Sequence, residues 1–77
     1  MNSKVADVFI HTRALLNDRQ FGELSKQVYR DQGIVSISRN PHRPSMLMVV
    51  YNTARTKSGR ILEAVRLMGY DASLVGI

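Results

Sequence analysis

The chain has 77 residues and a formal charge of +5, with a pI near 10.3, which fits one domain spanning residues 1–77 and favours acidic partners. A chain this short buries only about 60–65% of the surface its unfolded form exposes, so the core is thin and every apolar face must be used. The absence of cysteine excludes disulfides and thiolate metal sites, and 44% hydrophobic against 22% charged residues excludes a disordered composition.

Val5–Thr12 is rich in β-formers and is predicted as the first strand. Alternation places Val8 and Ile10 on one face, and Phe9 and His11 on the other. Asn17 is predicted to cap a helix, with Gln20 three residues later completing a capping box and Asp18 complementing the helix dipole. Phe21, Leu24 and Val28 form its buried stripe. Gly33 is expected to end it as a C′ residue. Ile34–Arg39 is the second strand, with alternate apolar residues after Ile34. Asn40–Pro44 is a turn-rich hairpin connection. Ser45–Tyr51 is the third strand and is apolar on both faces, with Met46, Met48 and Val50 opposite Leu47, Val49 and Tyr51. Thr56 is expected to cap a second helix running to about Met68. Ile61, Leu62, Val65 and Met68 make its buried face, and Gly69 stops it. Asp71–Ile77 is the last strand. The order is βαββαβ, an α+β, ferredoxin-like sandwich. It predicts a four-stranded antiparallel sheet with two helices on one face and the other face open.

The second half of the chain resembles a known family. Gly33-Ile34-Val35-Ser36-Ile37 is similar to the Gly-Val strand opening of heavy-metal-associated, copper-chaperone-like domains. Val49-Val50-Tyr51-Asn52 resembles their third strand. Ile61-Leu62-Glu63-Ala64-Val65, followed by Met68-Gly69-Tyr70-Asp71-Ala72, resembles their closing pattern. The resemblance runs from about Val8 to Val75. It implies metal binding through a Met-x-Cys-x-x-Cys segment where the first loop meets the first helix. Here Leu15, Asn17 and Gln20 stand at those three positions. Neutral amides are weak ligands for soft ions that want thiolates. The chain therefore resembles a degenerate member whose loop closes a helix instead of holding a metal, and no metal or other cofactor is expected.

Other ligand sets are thinner. His11 and His42 are the only histidines, and with Asp18 they are the remaining nitrogen and oxygen candidates for a metal. Topology is expected to put the His42 hairpin at the end where the first strand begins, away from His11. Met46 and Met48 share a strand face, and thioethers bind copper(I). Packing is the simpler reading of both. Tyr70 matches a position that the resemblance puts next to the metal loop, and without a metal it is read as a packing residue with its hydroxyl in water. Arg55, Thr56, Lys57 and Arg60 gather at the start of the second helix, where free backbone N–H groups attract anions. Thr56-Lys57-Ser58-Gly59 is not a P-loop, because the required upstream glycine and the strand-loop-helix order are missing.

Eight arginines outnumber three lysines, and arginine's planar fork suits carboxylate and phosphate. Nucleic acid is the weaker expectation. RNA-recognition sheets of this topology stack bases on aromatics of the middle strands, and these strands offer only Phe9 and Tyr51. No nucleophile with its base and no paired carboxylates stand out, so a non-enzymatic function is expected. The sequence predicts a binding or adaptor module that docks a protein partner, acidic or apolar, or pairs with itself. Arg13, Arg19, Tyr70, Met46 and Met48 are the candidate contacts. A homodimer would use the open sheet face or the last strand as an edge. The segment before the first strand has no long apolar run, so no signal peptide is expected. Met46–Tyr51 is too short an apolar run to span a bilayer. A cytoplasmic location is the expectation, since small secreted domains usually need disulfide staples.

Overall fold

The computed structural model describes residues 4–75. Six elements follow in order: β1 (Val5–Thr12), α1 (Asp18–Val28), β2 (Ile34–Asn40), β3 (Arg43–Asn52), α2 (Ser58–Leu67) and β4 (Ala72–Val75). The strands form one sheet in the order β2-β3-β1-β4. All three neighbouring pairs are antiparallel. This is the expected α+β, ferredoxin-like βαββαβ arrangement.

Alternation sorts the strand residues. Val8 and Ile10 of β1, Ile37 of β2, Leu47 and Val49 of β3 and Ala72 of β4 point toward the helices. Leu24 and Val28 of α1 and Ile61 and Val65 of α2 meet them, and Leu16 of the first loop closes one end. Phe21, Leu62, Met68 and Tyr70 pack around this core while partly exposed. Nothing covers the other face of the sheet among the described residues.

Four local expectations are corrected. First, α1 ends at Val28 with Tyr29 as its C-cap, so Gly33 is not a C′ glycine, and Gly69 is the glycine with positive φ, at 96°. Gly33 is needed for space. A Cβ there would lie 2.7 Å from Thr56 Cγ2 and 2.9 Å from Thr56 Cβ. Second, Thr56 does not cap α2. Lys57 holds the N-cap position and makes no side-chain cap bond, while the buried Thr56 hydroxyl donates to the Asp31 carboxylate. Third, the β2–β3 connection is only Pro41–His42, since Asn40 still belongs to β2 and Arg43 and Pro44 to β3. Fourth, the pairing is interrupted between Ile34 and Ser36. Strict alternation would set Val35 with Ile37. The irregularity instead packs Ile34 against the core and leaves Val35 54% exposed. Gly76 and Ile77, assigned from sequence to the last strand, lie outside the described residues. Among those residues β4 is an edge strand.

Candidate functional site at the loop end of the sheet

The register fixes which loops meet. His11 of β1 is opposite Met46 of β3, and Val5 is opposite Asn52. The Pro41–His42 turn therefore lies at the end where β1 finishes, and not where it begins, as the sequence reading placed it. Three connections gather at that end: the first loop (13–17), the Pro41–His42 turn and the segment between α2 and β4.

The first loop is held from several sides. Thr12 is fully buried, and its hydroxyl donates to the Ala14 carbonyl at 2.9 Å, with the Ser45 carbonyl at 3.3 Å. The Arg13 amide donates to the Asp71 carbonyl at 2.9 Å. The Arg13 side chain sits 3.6 Å from the Asp71 carboxylate, a pair exposed enough to add little. Leu16 turns into the core and is 4% exposed, while Leu15 stands 67% exposed. At the loop's exit the predicted capping box is present in full. The Gln20 amide donates to Asn17 Oδ1 at 2.8 Å, and the Asn17 amide donates to Gln20 Oε1 at 3.0 Å. Two side chains thus satisfy two of the orphan donors of a helix start.

Arg39 is the residue that sequence reasoning missed. One guanidinium nitrogen donates to the Leu16 carbonyl at 2.9 Å, and another donates to the Asp18 carboxylate. The guanidinium also lies 5.1 Å from the centre of the Phe21 ring. Arg39 thereby ties β2 to both the loop and the first turn of α1. Its signal was available. Arg39 follows Ile37 by two residues in a strand, so alternation points it inward, where a cation must find partners.

The sequence-predicted residues fall into three groups. Arg13 lies in the first loop, Arg19 in the first turn of α1 and Tyr70 in the segment before β4, so all three belong to elements at the loop end. The Arg13 and Arg19 side chains are 84% and 86% exposed, and Tyr70 is half-buried against the core. Met46 and Met48 lie on the open sheet face, half-buried. The third group, Arg55, Thr56, Lys57 and Arg60, is at the opposite end. It borders a surface depression of 590 Å³ that also touches Thr53 and Ser58. That end carries its own carboxylate. Asp31 accepts from Thr56 and from the Gly33 amide, and Arg60 lies 3.9 Å away. The Thr56 bond, the Gly33 amide and Arg60 together hold the Asp31 carboxyl below its ordinary range, against the opposing effect of burial. Thr56 therefore has no free hydroxyl proton for an anion.

The nitrogen and oxygen candidates do not assemble. Asp18 is taken by Arg39, and no group of three or more His, Asp or Glu side chains could hold a metal ion among the described residues. The loop positions that resemble metal-ligand positions, Asn17 and Gln20, spend their side chains on the helix cap, and Leu15 points out.

Solved structures share this architecture across nearly the whole chain. Oxidized MerP from Ralstonia metallidurans aligns with a TM-score of 0.77 at 14% identity, covering 91% of this chain and 96% of that one. The fold is that of heavy-metal-associated domains. A copper binding domain from a P-type ATPase aligns with a TM-score of 0.78 at 13% identity, covering 91% of this chain and 93% of its own. A yeast copper transporter domain aligns with a TM-score of 0.77 at 13% identity, covering 91% and 94%. At such identities the likeness to heavy-metal-associated domains is one of fold. No family model matches the sequence, and no curated protein matches it. This chain keeps the heavy-metal-associated scaffold with no cysteine anywhere in its sequence. No helix of the described residues is long and apolar enough to cross a membrane.

Proposed function

We propose that the chain is a small non-enzymatic docking module that receives an acidic protein surface at the loop end of the sheet. One observation carries the reading: Leu15 stands 67% exposed on a loop pinned at both ends, between the exposed cations Arg13 and Arg19. An apolar anchor on rigid backbone, rimmed by charge, is the pattern of an interface hot spot. The capping box and Arg39 reduce the ordering cost that a free loop would incur on binding. Arginine flanks suit carboxylates through paired hydrogen bonds. Tyr70 extends the same surface with an apolar ring and a polar tip.

A photo-crosslinking side chain placed at Leu15 in the full chain, within its native host, tests this. The same group at Lys26, in the last turn of α1, serves as control. Capture of one acidic partner from position 15, absent from position 26 and lost in the Arg13→Glu/Arg19→Glu variant, is the expected result. Equal capture from both positions, or capture that survives charge reversal, overturns it. Light scattering on the same samples reads self-association through the open face or β4, which would replace the foreign partner with a second copy.

A second reading rests on the opposite end. No carboxylate of the described residues lies within ion-pair distance of Arg30, Arg55 or Lys57. Such unpaired cations attract a polyanion, including nucleic acid, and that binding would weaken steeply with salt.

A further inference from the structure

On the open face of the sheet, β1 presents Val5, Asp7, Phe9 and His11, and β3 presents Met46, Met48 and Val50. The register sets His11 directly opposite Met46, and Phe9 directly opposite Met48. These four residues occupy the corners of one patch: an imidazole, two thioethers and an aromatic ring. Directly opposed Cβ atoms lie about 5 Å apart, and diagonal ones about 7 Å. Two long thioether side chains and one imidazole reach a common point across such spacings. His11 is exposed, so its ring is free to turn toward that point. Met46 and Met48 are half-buried, which leaves part of each side chain open to solvent on this face.

From this juxtaposition we infer that His11, Met46 and Met48 form a site for a soft monovalent cation, copper(I) or silver(I), on the open sheet face, away from the capped first loop. The donor set decides the ion. Thioether sulfur and neutral imidazole suit copper(I), whereas zinc and harder ions favour thiolate, imidazole and carboxylate. Asp7, the one carboxylate on this face among the described residues, is four residues along β1 from His11, about 13 Å away and out of reach of the same ion. Phe9, 39% exposed, forms the fourth corner and shields the ion from water on one side. The three donors come from two central strands of the sheet, which fixes their backbones better than a loop would. The site does not depend on the docking reading, since it shares no residue with Arg13, Leu15 or Arg19.

Anaerobic titration of the full chain with copper(I) against a coloured chelator tests the inference, with silver(I) and zinc in parallel. Methyl NMR of the methionines supplies a residue-level readout. One copper(I) or silver(I) per chain is expected in native mass spectrometry, with no zinc retained. The ε-methyl signals of Met46 and Met48 should shift, and that of Met68 should not. Met46→Leu/Met48→Leu preserves apolar volume and should still fold. It should weaken copper(I) at least about tenfold, because even an outer partner of a metal ligand is worth that much. His11→Ala should do the same, while His42→Ala and Asp18→Asn should leave affinity unchanged. The inference is overturned if the chelator keeps all the copper, if the leucine variant binds as before, or if Met68 shifts instead.

Discussion

Asp31 lies just past α1, and its carboxylate receives the Thr56 hydroxyl and the Gly33 amide, joining the segment before β2 to the segment before α2. These bonds favour the charged form and place its pKa below the ordinary 3.8, with Arg60 contributing less. The sign of the pH effect follows. A carboxyl with a folded pKa below its unfolded value adds stability that is complete above the unfolded pKa. That stability is lost as pH falls through the folded one. Denaturant midpoints measured downward from pH 7 should therefore fall less steeply in Asp31→Asn than in the parent once pH drops through and below the ordinary carboxylate value. The variant should also be less stable at neutral pH. An identical acid slope in both proteins would remove Asp31 from this role. This contact is not legible in the sequence, because Thr56 is 25 residues from Asp31 in the chain.

At the scale of the element, the two helices contrast. α1 begins with a complete capping box, whereas α2 begins at Lys57 with no side-chain cap bond and no acidic residue in its first turn. Asn17→Ala should cost about 1 kcal/mol of stability. Lys57→Ser should gain up to about 1 kcal/mol, since a hydroxyl supplies the missing acceptor and a cation leaves the positive end of the dipole. Urea denaturation of the two variants measures both; equal and negligible effects would sink the capping argument. Local chemistry of this kind was legible in the sequence: Asn17 with Gln20, the Leu24–Val28 stripe and Gly69 as a stop all stand as read. What was not legible depended on distant contacts. Thr56 looks like a cap until Asp31 takes its hydroxyl. Gly33 looks like a helix stop until Thr56 crowds it. Val35 looks like a core residue until the irregularity in β2 turns it outward. The candidate surface was legible in part. Arg13, Arg19 and Tyr70 were named, but the exposure of Leu15 over Leu16 and the grip of Arg39 follow from the fold. The expected place of His42 does not hold, because β2 leads into β3, which runs antiparallel to β1, so their turn meets the end where β1 finishes.

For the whole molecule, the consequential feature is the unequal pairing of β1. Among the described residues β4 pairs with it from Phe9 to Thr12, while β3 pairs with it from Val5 to His11. Opening of such a sheet is graded: the units with fewest partners separate first. In amide hydrogen exchange, the amides bonded between β1 and β3 should be the slowest. Those between β1 and β4 should be distinctly faster, and uniform protection across the sheet would contradict this order. β4 leads out of the segment that the first loop grips through Arg13 and Asp71. A protein seated on Leu15 therefore bears on the segment that leads into the strand expected to separate from β1 before β3 does. Its arrival would be recorded as slowed exchange several residues away, in amides of β4 that it never touches.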